Sequence, residues 1–321
     1  MSYPFRARPA ARPLLSLTVT VATLVVLAAP VRAQRAGAAD EVRLIVTVSD
    51  SGGRYITNLE KSRFSILEGK EAREITSFDA ADAPANVGVV VDVSESMIRR
   101  GDEIKVALRQ LVIKGHPENR YFIAEFNTQG RLLSDWTSDR AVLEGSIQQI
   151  GATLGRARVK GYTSLYDACA DALTKLAEGP HDKGVLVVIS DGMDTHSRVS
   201  LRELRSRILA SEVLVYSLGP TGGVRNALDE VAGKAVLADM ATQTGGVALF
   251  PESRKEAVAA GEWIAADLRS QYVVGFAPGQ AAGVASEPKW RKIKIRVDSL
   301  SKEIKIVVRS REGYFFPRPV N

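Results

Sequence analysis

The most informative part of the sequence is Val87-Gly88-Val89-Val90-Val91-Asp92-Val93-Ser94-Glu95-Ser96. It joins a short run of mostly β-branched apolar residues to an Asp-x-Ser-x-Ser sequence. An uninterrupted apolar run of this length predicts a strand that is buried on both faces, as in a parallel sheet covered by helices. Polar residues that directly follow such a strand lie at its carboxyl end, where open α/β sheets place their ligand sites.

The polar residues of this stretch suit a small, hard cation. Asp92, Ser94 and Ser96 offer one carboxylate and two hydroxyls from a single loop. Oxygen donors of this kind favour Mg²⁺, whereas Zn²⁺ favours His or Cys. Because Asp and Ser are also ordinary turn residues, this loop alone does not define a metal site.

Two downstream segments complete a pattern. Gly161-Tyr162-Thr163-Ser164-Leu165 places a Thr just before a helical pattern, and Val185-Leu186-Val187-Val188-Ile189-Ser190-Asp191-Gly192 is a second buried-strand run that ends in Asp-Gly. Together the three segments resemble the von Willebrand factor type A domain and its metal-ion-dependent adhesion site. The resemblance implies one bound Mg²⁺, with Mn²⁺ or Ca²⁺ as alternatives, and a coordination position that accepts an Asp or Glu carboxylate from a protein partner. The implied metal ligands are Asp92, Ser94, Ser96, Thr163 and Asp191.

Three residues close in sequence to the implied ligands have other possible roles. Glu95 departs from the family pattern, which commonly has Gly there, and it adds a negative charge beside the site. Asp194 is a candidate for orienting the site or, equally, for capping a loop. His196 follows on the same loop, and an exposed loop histidine is the favoured interpretation over a catalytic one. The alternative for the ligand set is that Thr163 and one of the serines only cap helices.

The region around these segments predicts an α/β fold. Strand patterns alternate with helical patterns, which indicates a doubly wound, mainly parallel sheet of Rossmann-like type. The short Gly130-Arg131 link predicts that Leu132–Trp136 runs antiparallel at an edge, because a parallel pair needs a long crossover. The predicted strands are Gly88–Val91, Tyr121–Phe126, Leu132–Trp136, Val185–Ile189, Val213–Ser217 and Val247–Phe250, and the predicted helices include Asp102–Ile113, Ala141–Gly151, Leu165–Ala177, Leu201–Ala210 and Ala235–Thr244.

Both flanks of this region predict β structure. In the N-terminal flank, Phe64–Lys70 and Glu74–Phe78 are predicted as two strands around a Glu-Gly-Lys turn. The C-terminal flank alternates Lys and Ile, which indicates one solvent-exposed, cationic face that includes Lys294, Arg296 and Lys305. Neither flank is large enough to fold alone, so we expect the two to pair in one small β unit. The predicted division is an N-terminal β segment at 41–80, the A-type domain at 86–269 and a C-terminal β segment at 270–317.

Residues 1–33 are predicted to be a signal peptide. Three arginines precede an apolar core of 16 residues, and Val31-Arg32-Ala33 supplies small residues for cleavage before Gln34. The core is shorter than the roughly 20 residues of a membrane-spanning helix. We therefore expect an exported protein, periplasmic, envelope-bound or secreted, that meets a membrane only if the leader stays uncleaved.

Charge and motifs narrow the class of function. The net charge is +6, with 43 basic and 37 acidic residues, and loss of the four leader arginines leaves +2, which gives no argument for nucleic acid. No nucleophile elbow, phosphate-binding loop or His-Glu-x-x-His helix is present. The resemblance to the von Willebrand factor type A domain implies non-enzymatic adhesion as the expected function. A metal-assisted hydrolase, or an envelope protein that binds through its β flanks, is the alternative. Cys169, the single cysteine, is interpreted as a buried core residue.

Overall fold

A computed structural model describes residues 41–152, 162–220, 226–279, 288–299, 301 and 303–316. The predicted signal peptide and Gly161 lie outside these ranges. The described strands are β1 (Val42–Asp50), β2 (Phe64–Glu68), β3 (Glu71–Arg73), β4 (Ile75–Asp79), β5 (Ala85–Asp92), β6 (Arg120–Phe126), β7 (Gly130–Thr137), β8 (Lys183–Ile189), β9 (Leu214–Leu218), β10 (Ala248–Leu249), β11 (Gln271–Phe276), β12 (Lys289–Val297), β13 (Ile306–Arg309) and β14 (Gly313–Phe316).

The described helices lie between β5 and β11, apart from a single 3-10 turn at Lys61–Arg63. None of them is long and apolar enough to cross a bilayer. In chain order they are α1 (Glu95–Ile98), α2 (Gly101–Lys114), α3 (Arg140–Gln149), α4 (Leu165–Leu176), α5 (Leu201–Ala210), α6 (Ala227–Thr242) and α7 (Arg254–Arg269).

The central sheet has the predicted doubly wound architecture. Its order is β10-β9-β8-β5-β6-β7, and every pairing is parallel except that of β6 with the edge strand β7. All eight residues of β5 are buried. Val87, Val89 and Val91 pack with α2, α3 and α7 on one face, while Val90 packs with α4, α5 and α6 on the other. Cys169 belongs to the second cluster and is fully buried, which confirms its interpretation as a core residue.

The two β flanks pair with each other, as expected, but they form two sheets. One sheet has the order β13-β1-β11-β4 and the other β14-β12-β2-β3. A third apolar cluster joins residues from both flanks, among them Leu44, Ile66, Tyr272 and Ile295. The flanks are therefore one packed unit, and the strands β4 and β11 that border the central region are neighbours in its first sheet.

Two details of the flanks differ from the prediction. The Glu-Gly-Lys turn, with Gly69 at a φ of +62°, connects β2 to the short strand β3, and β4 then crosses to the other sheet. Lys305 precedes β13 of the first sheet, whereas Lys294 and Arg296 lie on β12 of the second. The predicted single cationic face is therefore wrong, because strand pairing between distant segments decides which residues share a face.

A buried carboxylate ties the flanks together. Glu68 on β2 accepts hydrogen bonds from Arg291 Nη1 at 2.6 Å, the Tyr314 hydroxyl at 2.8 Å and the Gly279 amide at 3.0 Å, and it also pairs with Arg73. Burial alone would raise the pKa of Glu68, but these four donors outweigh burial and lower the pKa to about 2. The N-terminal strand β2 is thus held to C-terminal residues by charge-assisted bonds.

Candidate metal centre

The Asp92 loop lies at the carboxyl end of the central strand β5. Asp92 is fully buried, and its Oδ1 accepts the Ser94 amide at 2.8 Å, which closes a turn over the strand end. The Ser94 and Ser96 hydroxyls lie 3.1 Å apart. Ser94 is the N-cap residue of α1, but its side chain makes no capping hydrogen bond. The hydroxyls are therefore not used as helix caps, which disfavours the alternative interpretation for this loop.

The Asp191 loop follows the neighbouring strand β8. Ser190 donates its hydroxyl to Asp92 Oδ2 at 2.7 Å and accepts the Gly192 amide at 3.0 Å. Asp191 Oδ1 accepts the Met193 amide, while Asp191 Oδ2 is buried with no hydrogen-bond partner among the described residues. A buried carboxylate oxygen without a donor is costly unless a cation or water satisfies it.

The two aspartates influence each other electrostatically. Burial, and secondly the negative charge of Asp191, raise the pKa of Asp92 to about 7. Two carboxyl groups that share a buried site repel each other when both are ionised. A divalent cation beside them would offset that repulsion and would favour the ionised form of Asp92.

The Thr163 loop is fastened to the Asp191 loop through its backbone. The Thr163 amide donates to Thr195 Oγ1 at 2.9 Å, and the Thr163 carbonyl accepts the amides of Thr195 and His196. The Ser164 amide also donates to the Asn127 carbonyl at 2.7 Å, which ties the loop to the end of β6. The Thr163 hydroxyl has no hydrogen-bond partner within the described part of the chain. Thr163 precedes the N-cap residue Ser164, so it is not itself the cap of α4.

The three neighbouring residues have distinct positions. Asp194 accepts the Tyr166 amide at 3.2 Å and the Ser197 hydroxyl at 2.5 Å, so it caps the first turn of α4. His196 is exposed, and its ring lies against that of Tyr162 at 5.1 Å. Glu95 is exposed at the start of α1 and makes no ion pair with a described residue. These hydrogen bonds are those of a cap, and a role of Asp194 in orienting a metal site stays a prediction.

Two glycines bring α6 against the Asp191 loop. Gly192 has a φ of +84°, and a Cβ there would lie 2.2 Å from the Gly233 carbonyl oxygen. A Cβ on Gly233 would lie 2.1 Å from the Asp191 carbonyl oxygen. Any larger residue at either position would separate the helix from the loop. This contact holds the Asp191 backbone in place, and the sequence alone did not indicate it.

The donor set fits an oxygen-preferring cation. No group of three or more His, Cys, Asp or Glu side chains that could hold a metal occurs among the described residues. Any ion at this edge would therefore depend on the hydroxyls of Ser94, Ser96 and Thr163 together with the two carboxylates. Such an oxygen set is typical of Mg²⁺, which usually retains some water ligands.

Comparison with known proteins identifies the central region. Residues 87–193 match the family model of the von Willebrand factor type A domain. The matched range begins in β5 and ends two residues after Asp191, so it includes all five candidate ligands. The central part of the chain is therefore a von Willebrand factor type A domain. No curated protein matches the chain in sequence.

Several solved structures are similar in fold at low sequence identity. Proximal thread matrix protein 1 from the mussel byssus is 15% identical with a TM-score of 0.47, over 61% of this chain and 48% of that chain. This chain thus spans about half of the mussel protein. A form of that protein with a zinc-occupied MIDAS motif is 17% identical, TM-score 0.45, over 57% and 48%. An aerotolerance-related membrane protein from Bacteroides fragilis is 18% identical, TM-score 0.45, over 58% and 98%.

Proposed function

We propose that this protein binds one divalent cation, Mg²⁺ in preference to Mn²⁺ or Ca²⁺, and uses it to capture a carboxylate of a partner protein without chemical turnover. The proposed ligands are Asp92, Ser94, Ser96, Thr163 and Asp191. The observation that carries the proposal is the buried, unpartnered Asp191 Oδ2 beside the buried Asp92. A cation would satisfy this oxygen, and three hydroxyls free of helix-capping bonds would complete most of its shell.

The surface around the site supports a protein partner. Ile98 and Tyr162 are each 56% exposed, close in sequence to Ser96 and Thr163. Leu228 and Val231 are 82% and 66% exposed on α6, within two turns of the Gly233 contact with the Asp191 loop. Large apolar side chains that are exposed in segments next to a site are typical of protein interaction surfaces.

A hydrolase is less well supported. The histidine nearest the site, His196, is exposed against Tyr162 and makes no side-chain hydrogen bond to another described residue. Its side chain is therefore not positioned by a second group, as a general base would be. Asp194, the other polar group of this loop, is occupied by the start of α4.

Capture can be tested with the protein and its native envelope extract. We expect the immobilised chain to retain proteins in Mg²⁺ but not in excess chelator, and the Asp92→Ala variant to retain none of them. The retained proteins are then eluted, and their carboxylates are amidated with carbodiimide and glycinamide. After this treatment they should no longer bind to the immobilised chain. Equal retention by the Asp92→Ala variant, or retention that survives amidation, would exclude capture through a metal-bound carboxylate.

The Glu95 charge gives a finer test. The side chain is exposed next to Ser94 and Ser96, so it should oppose an incoming anion, although solvent screening limits the effect to about 0.2–1 kcal/mol. We expect Glu95→Gly to leave Mg²⁺ affinity unchanged and to tighten partner binding by up to about fivefold, as measured by surface plasmon resonance. Loss of Mg²⁺ binding in this variant would mean that Glu95 is a ligand and that the proposed set is misassigned.

Export is a separate part of the proposal. It rests on the arginine-rich head, apolar core and cleavage sequence of residues 1–33. We propose that the mature chain consists of the N-terminal β segment 41–80, the A-type domain 86–269 and the C-terminal β segment 270–317. Mass spectrometry of the protein from its native source should find an N-terminus near Gln34. An intact N-terminal leader in the membrane fraction would instead indicate an anchored protein.

A further inference from the structure

The outer face of the sheet β14-β12-β2-β3 carries a row of cations. Lys292, Lys294 and Arg296 are exposed and alternate along β12 with Ile293 and Ile295, each of which is only 7% exposed. Because side chains alternate along a strand, the three cations project from one face, about 7 Å apart from one to the next. None of them makes a side-chain hydrogen bond or ion pair with another described residue.

The strands beside this row are uncharged where they face it. Leu67 and Ser65 of β2 lie opposite Lys294 and Arg296, and Gly313 of β14 lies opposite Lys292. Farther out, Ala72 of β3 pairs with Leu67. The cations thus form a line along one strand and not a two-dimensional patch. The next residue of the same alternation, Asp298, lies beyond the end of β12, where its amide bonds to the Arg63 carbonyl.

An aromatic pair lies at the other end of the row. Trp290 continues the same alternation on β12 and is 37% exposed. Its ring contacts Phe315 of β14 at 5.2 Å in an edge-to-face arrangement. Phe315 fixes the orientation of the Trp290 ring, which then offers part of its surface to solvent as a rigid apolar platform.

We propose that the row Trp290, Lys292, Lys294 and Arg296 binds a linear anionic polysaccharide, independently of the metal centre. Carboxylates of the uronic acid units would pair with the cations, and a sugar ring would lie against Trp290. A line of cations with neutral flanks matches a linear polyanion better than it matches a planar anionic membrane. Single-stranded nucleic acid would require aromatic side chains along the row, whereas here they lie at one end only.

The test uses the full chain and oligogalacturonate, a linear polymer of uronic acid. All titrations contain chelator, so that the carboxylates of the probe cannot bind through a cation at the Asp92 site. We expect binding at about 50 mM salt that weakens steeply as salt is added, and no binding of neutral dextran. The triple variant Lys292→Gln, Lys294→Gln, Arg296→Gln should bind at least tenfold more weakly, and Trp290→Ala several-fold more weakly.

A second triple variant controls for net charge. Lys114→Gln, Arg254→Gln, Lys255→Gln removes three exposed cations from the helices α2 and α7 and should bind as the wild type does. Thermal melting verifies that every variant is folded. Equal binding by the β12 variant and the control, or no binding by the wild type, would overturn the proposal. Tighter binding of phosphatidylglycerol vesicles or oligo-dT than of oligogalacturonate would also overturn it, in favour of a membrane or a nucleic acid.

Discussion

Replacement of Asp191 by Asn is expected to abolish Mg²⁺ and Mn²⁺ binding, with a loss of at least about 100-fold in affinity by isothermal titration calorimetry. A neutral amide cannot supply the second negative charge that an ion shared with Asp92 requires, and metal ligands must be deprotonated. The unpartnered position of Asp191 Oδ2 makes this side chain the most direct candidate for contact with the ion.

The same substitution should leave the metal-free protein at least as stable as the wild type. Burial, and secondly repulsion by Asp191, raise the pKa of Asp92, and the substitution removes the repulsion. Metal binding would then be lost with no loss of stability, which distinguishes loss of a functional group from misfolding. Asp171→Ala, at an exposed position on α4, is the matched control and should change neither quantity. A destabilised Asp191→Asn variant with unchanged Mg²⁺ affinity would contradict the assignment.

Replacement of Asp267 by Ala is expected to cost about 3–5 kcal/mol in the free energy of unfolding. Asp267 lies on α7 and is fully buried, with both carboxylate oxygens 2.6 Å from Arg309 Nη2 of β13. It also accepts hydrogen bonds from the Tyr216 hydroxyl and, at 3.0 Å, from Gln271 Nε2. The substitution would leave a guanidinium without its counter-charge and a buried hydroxyl without its acceptor.

Urea unfolding at neutral pH, followed by tryptophan fluorescence, measures this cost. Asp267→Asn retains an acceptor oxygen and should lose less than the Ala variant, because only the charge is removed. The exposed Asp171→Ala change should stay within about 0.5 kcal/mol of the wild type. If Asp267→Ala lost less than about 1 kcal/mol, the link between α7 and strand β13 would not depend on this carboxylate.

The central strands could be predicted from sequence because their signal is local. The sequences of β5 and β8 are apolar, rich in β-branched residues and bounded by polar loops. Candidate ligands lie in the loops at the ends of these two strands. The antiparallel edge strand β7 was predicted from the two-residue link before it, and the structure confirms it. In each case neighbours in sequence carry the information.

Sequence patterns predict two helices of the central region poorly, α6 and α7. The predicted helix Ala235–Thr244 corresponds to α6, which begins eight residues earlier, at Ala227. The prediction missed the first turns because they expose Leu228 and Val231 and so lack an amphipathic pattern. The helix α7 was not among those predicted. It packs so closely on α2 that a Cβ at Gly261 would lie 2.1 Å from the Ala107 carbonyl oxygen, and the small residues required for this contact weaken the hydrophobic signal.

The candidate site was predicted as a set of ligands but not as a network. Ser190 donates a hydrogen bond to Asp92 on the neighbouring strand. Its position directly before the proposed ligand Asp191 is the one feature of the sequence that indicates a role in the site. Thr195 carries no local signal for its bond to the Thr163 amide, because the two residues are 32 positions apart. Contacts between loops depend on the assembled sheet, which explains why pattern and spacing alone did not find them.

Anomalous X-ray diffraction from crystals of the protein grown with MnCl₂ would locate a bound ion directly. We expect one manganese peak at the carboxyl end of β5, with oxygen ligands from Asp92, Ser94, Ser96, Thr163 and Asp191, directly or through water. One coordination position should be held by water or by an added carboxylate. A manganese peak elsewhere, or none at this edge of the sheet while the ion is in excess, would contradict the proposed metal site.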